Sequence, residues 1–234
     1  MEHVPGIHGV PGVRGGNVYL LTEGPLTLID AGIVGDGSAI LRHIESLGFG
    51  AWDLARILLT HRHADHAGGA AALREATGAA VYAHTADLER RDDSFVLRGR
   101  LRTGRPTPVD CPLEDGQELE PGIVVVHSGG HTSGSVAFYL PAKRALFLGD
   151  TVINNVSRLS RPLPMSNEDS AASEVTLRRL AALDADAGFF GHGPPLLSGL
   201  QEALVEVSRR SPGPVWLRTL RHYLGHPLRS LRRD

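Results

Sequence analysis

A chain of 234 residues with 41% hydrophobic and 21% charged residues suits one large domain or two small ones, and excludes a disulfide-stapled mini-protein and a disordered or collagen-like chain. Lys plus Arg total 24 against 26 Asp plus Glu, a formal charge of -2, so nothing overall marks a nucleic-acid binder. The single cysteine, Cys111, excludes an intramolecular disulfide, and Pro and Gly interrupt the first twenty residues, so the chain is expected in the cytoplasm with no membrane segment.

Apolar runs alternate with helix-like segments, the pattern of a layered protein of both strands and helices. Asn17 to Thr22 and Leu26 to Asp30 read as strands joined by the Gly24-Pro25 turn, and Ser38 to Leu47 as an amphipathic helix stopped by Gly48. Arg56 to Leu59 reads as a buried strand, Ala67 to Ala76 as a small-residue helix ended by Gly78, and Val81 to Ala83 as a further strand. Ile123 to Val126, Val136 to Leu140 and Ala145 to Leu148 give three more strands. Ser170 to Leu183 reads as a helix, Gly188 to Phe190 as a last strand, and Gly199 to Arg210 and Val215 to Leu224 as closing helices. Arg98 to Pro112 and Ile153 to Asn167, rich in Pro and Arg, read as loops that could wall a substrate. The whole chain, 1–234, is expected to be one domain with C-terminal helices over about 199–225.

The stretch Thr60-His61-Arg62-His63-Ala64-Asp65-His66-Ala67-Gly68-Gly69 lies between a buried strand and a helix. His61 and His63, two apart on extended chain, can point the same way, as two ligands of one metal must. Asp65 and His66 lie further round the turn and can aim at a second metal, while Gly68 and Gly69 leave room for close backbone. Two ligands per ion are too few for tight binding, so more donors are required elsewhere. His131 in GGHTSGS, Asp150 in FLGD and His192 in GHG each stand just past an apolar strand with glycines alongside.

The set HRHADH, GGHTSGS, FLGD and GHG resembles the metallo-β-lactamase fold hydrolase superfamily over about residues 17 to 195. The resemblance implies an α+β fold, a four-layer αβ/βα sandwich with a dinuclear metal site along one edge. It further implies that His61, His63 and His131 hold one divalent ion, that Asp65, His66 and His192 hold the other, and that Asp150 bridges them. Asp30 matches an aspartate that such sites often carry as support. Zinc is the first candidate for both ions, with manganese or iron as alternatives. Two ions, two carboxylates and a bridging hydroxide leave a formal charge of about +1, suited to an anionic substrate or a polarised carbonyl. Asp65 and Asp150 are the expected catalytic residues, Asp65 orienting water as well as binding metal.

The bridging Asp150 resembles that of glyoxalase II type thioester hydrolases, lactonases and phosphodiesterases, and not the secreted zinc β-lactamases. The segment Thr151 to Val156 lacks the Cys-Gly-Arg stretch familiar in glyoxalase II. The expected activity is therefore hydrolysis of a small thioester, ester or lactone by a metal-bridging hydroxide. A mononuclear-iron persulfide dioxygenase and a non-catalytic metal-binding protein are the alternatives. His84 and His127 read as packing or supporting residues. The arginines at 98, 100, 102 and 105 and the basic stretch from Arg209 read as solvated segments. Leu217, Leu220 and Leu224 offer a core or homodimer contact.

Overall fold

Residues 1–88, 107–156, 158–162 and 164–210 are described by a computed structural model, and their apolar runs assemble into two sheets laid face to face. The first sheet takes its strands in chain order: β1 (Glu2–Val4), β2 (Ile7–Gly9), β3 (Tyr19–Leu21), β4 (Leu26–Ile29), β5 (Leu54–Leu58), β6 (Ala80–His84) and β7 (Cys111–Leu113). It is antiparallel as far as β4 and parallel from β4 to β7. The second is built from β8 (Glu118–Leu119), β9 (Ile123–His127), β10 (Val136–Leu140) and β11 (Ala145–Gly149). A small hairpin of β12 (Ile153–Asn154) and β13 (Leu159–Ser160) follows, and β14 (Ala187–Phe190) then returns to lie parallel to β11 at the edge of the second sheet.

Alternation along the strands decides which layer each side chain joins. In β4 and β5, Ile29 and Leu58 face the other sheet, while Leu28 and Ile57 face outward onto helices α1 (Gly37–Ser46) and α3 (Ala70–Thr77). In β11, Phe147 enters the inter-sheet core and Leu146 and Leu148 pack outward with Leu177 and Leu180 of α5 (Ser170–Leu180) and Leu200 and Leu204 of α6 (Leu200–Arg209). Both faces of both sheets are covered, which yields the four-layer αβ/βα sandwich. Phe147 stacks on Phe189 at 4.7 Å with Tyr19 edge-on to both, the aromatic centre of the inner layer.

Several elements differ from the sequence reading. The segment 67–76 is not one helix. Helix α2 (Ala64–Ala67) stops and α3 starts afresh, because the Gly69 amide donates to the Gly32 carbonyl at 3.1 Å and the Asp65 carbonyl accepts from the Gly16 amide at 2.8 Å. Gly68 and Gly69 also lie against the Ala64 and Ala31 carbonyls, where no Cβ fits. The expected loop 98–112 ends in β7, whose Pro112 is tolerated because β7, among the described residues, is an edge strand beside β6. The expected loop 153–167 contains the β12–β13 hairpin and a 3-10 turn at Pro164–Ser166. Strands of two or three residues are too short for alternation to reveal them, which also hid β1 and β2. Arg98, Arg100, Arg102, Arg105, the helix expected over 215–224 and the basic stretch beyond Arg210 lie outside the described residues, whereas Arg209 ends α6 and Arg210 pairs with Glu206. Among the described residues no helix is long and apolar enough to cross a membrane.

Before α1, the buried Asp36 ties the glycine-rich segment 14–16 to the end of β4. Its carboxylate accepts from the Arg14 and Ile33 amides at 3.0 Å, the Gly15 amide at 3.1 Å and Arg14 Nε at 3.0 Å. Burial raises the pKa of this carboxyl, but those donors outweigh it and hold it below the ordinary aspartate value. A depressed native pKa stabilises the fold above the unfolded value of about 3.9 and ceases to do so as pH falls through the native one. Asp36→Asn is therefore expected to cost about 1–3 kcal/mol at pH 7, with the difference from wild type shrinking below pH ~4. Urea unfolding across that range checks it, and a pH-independent difference would refute the assignment.

Candidate metal centre

The carboxyl ends of β4, β5, β9, β11 and β14 meet at one edge of the sandwich, and the expected donors stand just past them. Beyond β5 the chain runs Thr60, His61, Arg62, His63 and then turns into α2, which carries Asp65 and His66. The loop after β9 supplies His131, Asp150 follows β11, and His192 follows β14. The two sheets are joined here by a backbone bond from the Val136 amide to the Thr60 carbonyl at 2.8 Å.

All seven residues come together. His61 Nε2 lies 3.1 Å from His63 Nδ1, which lies 2.9 Å from His131 Nε2. His192 Nε2 is 3.1 Å from Asp65 Oδ2, and His66 Nε2 is 3.7 Å from the same oxygen. Asp150 stands between the two sets, its Oδ2 at 3.6 Å from His131 Nε2 and 3.4 Å from His192 Nε2, its Oδ1 at 3.3 Å from His66 Nε2. His61, His63 and His131 thus form one group able to hold an ion, and Asp65, His66 and His192 another. His61, His66 and His131 are buried, whereas the side chains of Asp65 and His192 are 39% and 40% exposed, so the second group opens to solvent.

The electrostatics sort the donors by role. Burial and the neighbouring histidines, His66 and His131 first among them, push His61 well below the ordinary histidine value. Burial and His131 take His63 down to about 4, and burial lowers His131 against the pull of Asp150. Those three rings are neutral at pH 7, with lone pairs to offer. Asp65 and Asp150 go the other way: burial raises both, but His192 and His66 outweigh it and keep both ionised. His192 is raised to about 9 by hydrogen bonds to Asp150 and Asp65, and His66 is raised because Asp150 and Asp30 overcome its burial. In the first group neutral imidazoles converge beside an ionised carboxylate, as a divalent cation requires, whereas His66 and His192 would have to release a proton to bind one.

Two further observations fit an ion there. His66 Nε2 and Asp150 Oδ1 are buried and face each other at 3.3 Å, yet among the described residues neither makes a well-aligned hydrogen bond, a costly arrangement that coordination would relieve. Gly191, next to His192, leaves a cradle against them: a Cβ there would overlap Asp150 Oδ1 and come within 2.6 Å of His66 Cε1.

The outward nitrogens of the rings are also engaged. His66 Nδ1 meets Asp30 Oδ2 at 2.8 Å, and Asp30 also accepts from the Thr60 amide at 2.8 Å, so Asp30 does support the cluster. His61 Nδ1 lies 3.0 Å from Thr60 Oγ1. His84 and His127 stand apart from the cluster, stacked on each other at 4.5 Å.

The sequence reading missed a buried brace. Asp87, in helix α4 (Thr85–Leu88), accepts from Arg62 Nη1 and the Arg62 amide at 2.9 Å, the Gly134 amide at 2.8 Å and Thr132 Oγ1 at 3.0 Å. It locks the His61–His63 segment to the His131 loop. Glu168 adds a second clasp, accepting from Arg62 Nη2 and from the Ser133 amide at 2.6 Å. The one local hint was Arg62 itself, a cation between two histidines that needs an anionic partner.

Comparison with known proteins agrees with this architecture. The hydroxyacylglutathione hydrolase of Rhodobacter capsulatus is 38% identical over 136 residues, 56% of this chain and 45% of the relative. That of Pseudomonas aeruginosa (strain LESB58) is 37% identical over 158 residues, 65% of this chain and 52% of the relative. The chain thus matches about half the length of these curated relatives. Among solved structures, TTHA1623 in a di-iron-bound form superposes with a TM-score of 0.68 at 30% identity, covering 88% of this chain and 98% of that one. A metallo-beta-lactamase family protein from Thermus thermophilus superposes with a TM-score of 0.69 at 25% identity, covering 88% of this chain and 79% of that one. The family model of the metallo-beta-lactamase superfamily matches residues 11–192, every one of the clustered donors included. The chain belongs to the metallo-beta-lactamase superfamily.

Proposed function

We propose that the chain is a dinuclear metal-dependent hydrolase of a small thioester, with esters and lactones as related substrates. The observation that carries this reading is the convergence of seven donors into two adjoining groups with Asp150 between them, the second group half open to solvent. His61, His63 and His131 would hold one ion, Asp65, His66 and His192 the other, and Asp150 both; zinc matches the imidazole-rich set best, with manganese and iron as alternatives. Bound ions would supply Lewis acidity toward the carbonyl oxygen and bring the pKa of water near ~7.

The chain's own residues supply the rest. Asp65 is kept ionised beside His192, and its exposed carboxylate can orient water and accept its proton. Asp150 holds its charge in the buried half of the site, against the two rings it faces there. Asp30 and Thr60 fix the rings of His66 and His61, so the donors need not reorganise. Thioesters come first because the two relatives described above are named hydroxyacylglutathione hydrolases. The same reading takes residues 1–234 as one domain acting on a small, anionic or polarised substrate, without nucleic acid or membrane. The single cysteine supports a cytoplasmic setting.

The test pairs metal analysis with turnover. Protein purified without added metal is expected to carry about two divalent ions per chain, as two-metal sites do. It should hydrolyse a hydroxyacylglutathione or another thioester faster than a lactone or a phosphodiester, lose activity to a chelator and regain it with zinc. One iron per chain with oxygen consumption on a persulfide would move the assignment to sulfur oxidation. No metal after reconstitution would leave a binding protein without this chemistry.

A further inference from the structure

We infer that Asn167 is a positioning residue of this centre, holding the His131 ring in the tautomer whose Nε2 lone pair faces His63; the inference rests on the reading of His131 as a ligand. Asn167 follows the Pro164–Ser166 turn, in the segment whose sequence suggested only a loop. Its Oδ1 lies 3.2 Å from His131 Nδ1 and its Nδ2 lies 3.2 Å from Ser173 Oγ.

The orientation of that amide is set by its neighbours. Ser173 Oγ spends its one proton on the Asp169 carbonyl at 3.1 Å, so toward Asn167 it can only accept. The amide nitrogen therefore turns to Ser173 and the amide oxygen to His131. An amide oxygen cannot donate, so His131 Nδ1 carries the proton and Nε2 is left bare, 2.9 Å from His63 Nδ1.

The segment has little slack. The Glu168 amide donates to the His131 carbonyl at 3.1 Å, the Asp169 amide to the Gly130 carbonyl at 2.9 Å, and the Ser133 amide to Glu168 Oε2 at 2.6 Å. Residues 167–169 are thus registered along the loop that carries His131, and Asp169 then caps α5 through the Ala171 and Ala172 amides. His61 and His66 take their outer partners from the strand ends beside them. His131 takes its partner from the start of the next helix, so the affinity of this group for its ion depends on how that helix start is docked.

The test is a variant series read by zinc affinity, in competition with a chromogenic chelator, and by the absorption spectrum of the cobalt(II)-substituted protein. Asn167→Leu keeps the size and removes the acceptor; it is expected to weaken one of two ions by about 10–100-fold, leave the other unchanged and alter the cobalt spectrum. Asn167→Asp keeps an acceptor and should bind both ions as wild type does. Ser173→Ala, which frees the amide to flip, should fall between them, and it carries the comparison if Asn167→Leu does not fold. Two ions bound by the wild type with equal affinity in Asn167→Leu would overturn this inference alone, as would an Asn167→Asp loss matching that of Asn167→Leu. A wild type that binds no ion would overturn the ligand reading with it.

Discussion

Asp150→Ala is expected to lose turnover by more than about 1,000-fold, roughly 4 kcal/mol of transition-state stabilisation, while the protein still folds. The carboxylate is buried, and its neighbours within ion-pair distance are His66, His131 and His192 of the cluster itself. It stands between the two donor groups, so both lose a shared anion when it goes. The expected loss exceeds the 10–100-fold that follows removal of a partner outside the ligand set. Folding should survive because the three apolar clusters are untouched and the buried rings that face Asp150 keep other partners, His66 in Asp30 and His131 in Asn167. Metal content, thioesterase rate and far-ultraviolet circular dichroism of one preparation give the answer. Turnover within tenfold of wild type would end the bridged-site reading.

Asp87→Ala should behave oppositely, damaging the fold and the site together. Its carboxylate side chain is 2% exposed and pairs with Arg62, whose side chain is 13% exposed. Truncation takes the acceptor from the Gly134 and Arg62 amides and removes the more deeply buried of the two anions beside a mostly buried guanidinium. Breaking a buried ion pair from one side costs about 3–5 kcal/mol, and the remaining contact of Arg62 with Glu168 places the expectation toward the lower figure. Urea unfolding of the metal-free protein measures the stability term. A zinc titration should show the His61, His63 and His131 group losing its ion first, since Asp87 is what holds the two loops in register. A loss below about 1 kcal/mol would mean that the pair is worth no more than a surface salt bridge.

Much of this architecture was legible along the chain because the signals are local. Short apolar runs such as Leu26–Ile29 and Ala145–Gly149, buried along their whole length, mark strands covered on both faces, and reading them needs no knowledge of their neighbours. The His61, His63, Asp65 and His66 set falls within six residues, and His131, Asp150 and His192 each announce themselves by a strand end and flanking glycines. Residue type, spacing and position at a strand terminus were enough to single out these seven residues, while the family resemblance implied that they share one edge.

What tertiary structure alone decided is how those donors are held. Asp87 lies 25 residues from Arg62 and 45 from Thr132, Asn167 lies 36 from His131, and Glu168 lies 106 from Arg62. In Thr85-Ala86-Asp87-Leu88 nothing distinguishes Asp87 from any surface aspartate, and Asn167 reads as a turn residue. Their roles arise only when parallel pairing of β5 with β6 and the facing of the two sheets bring four segments to one place. A metal ligand is chosen by its own chemistry, which a sequence displays. A positioning residue is chosen by the hydrogen bond left open when distant loops meet, and that exists only in the folded chain.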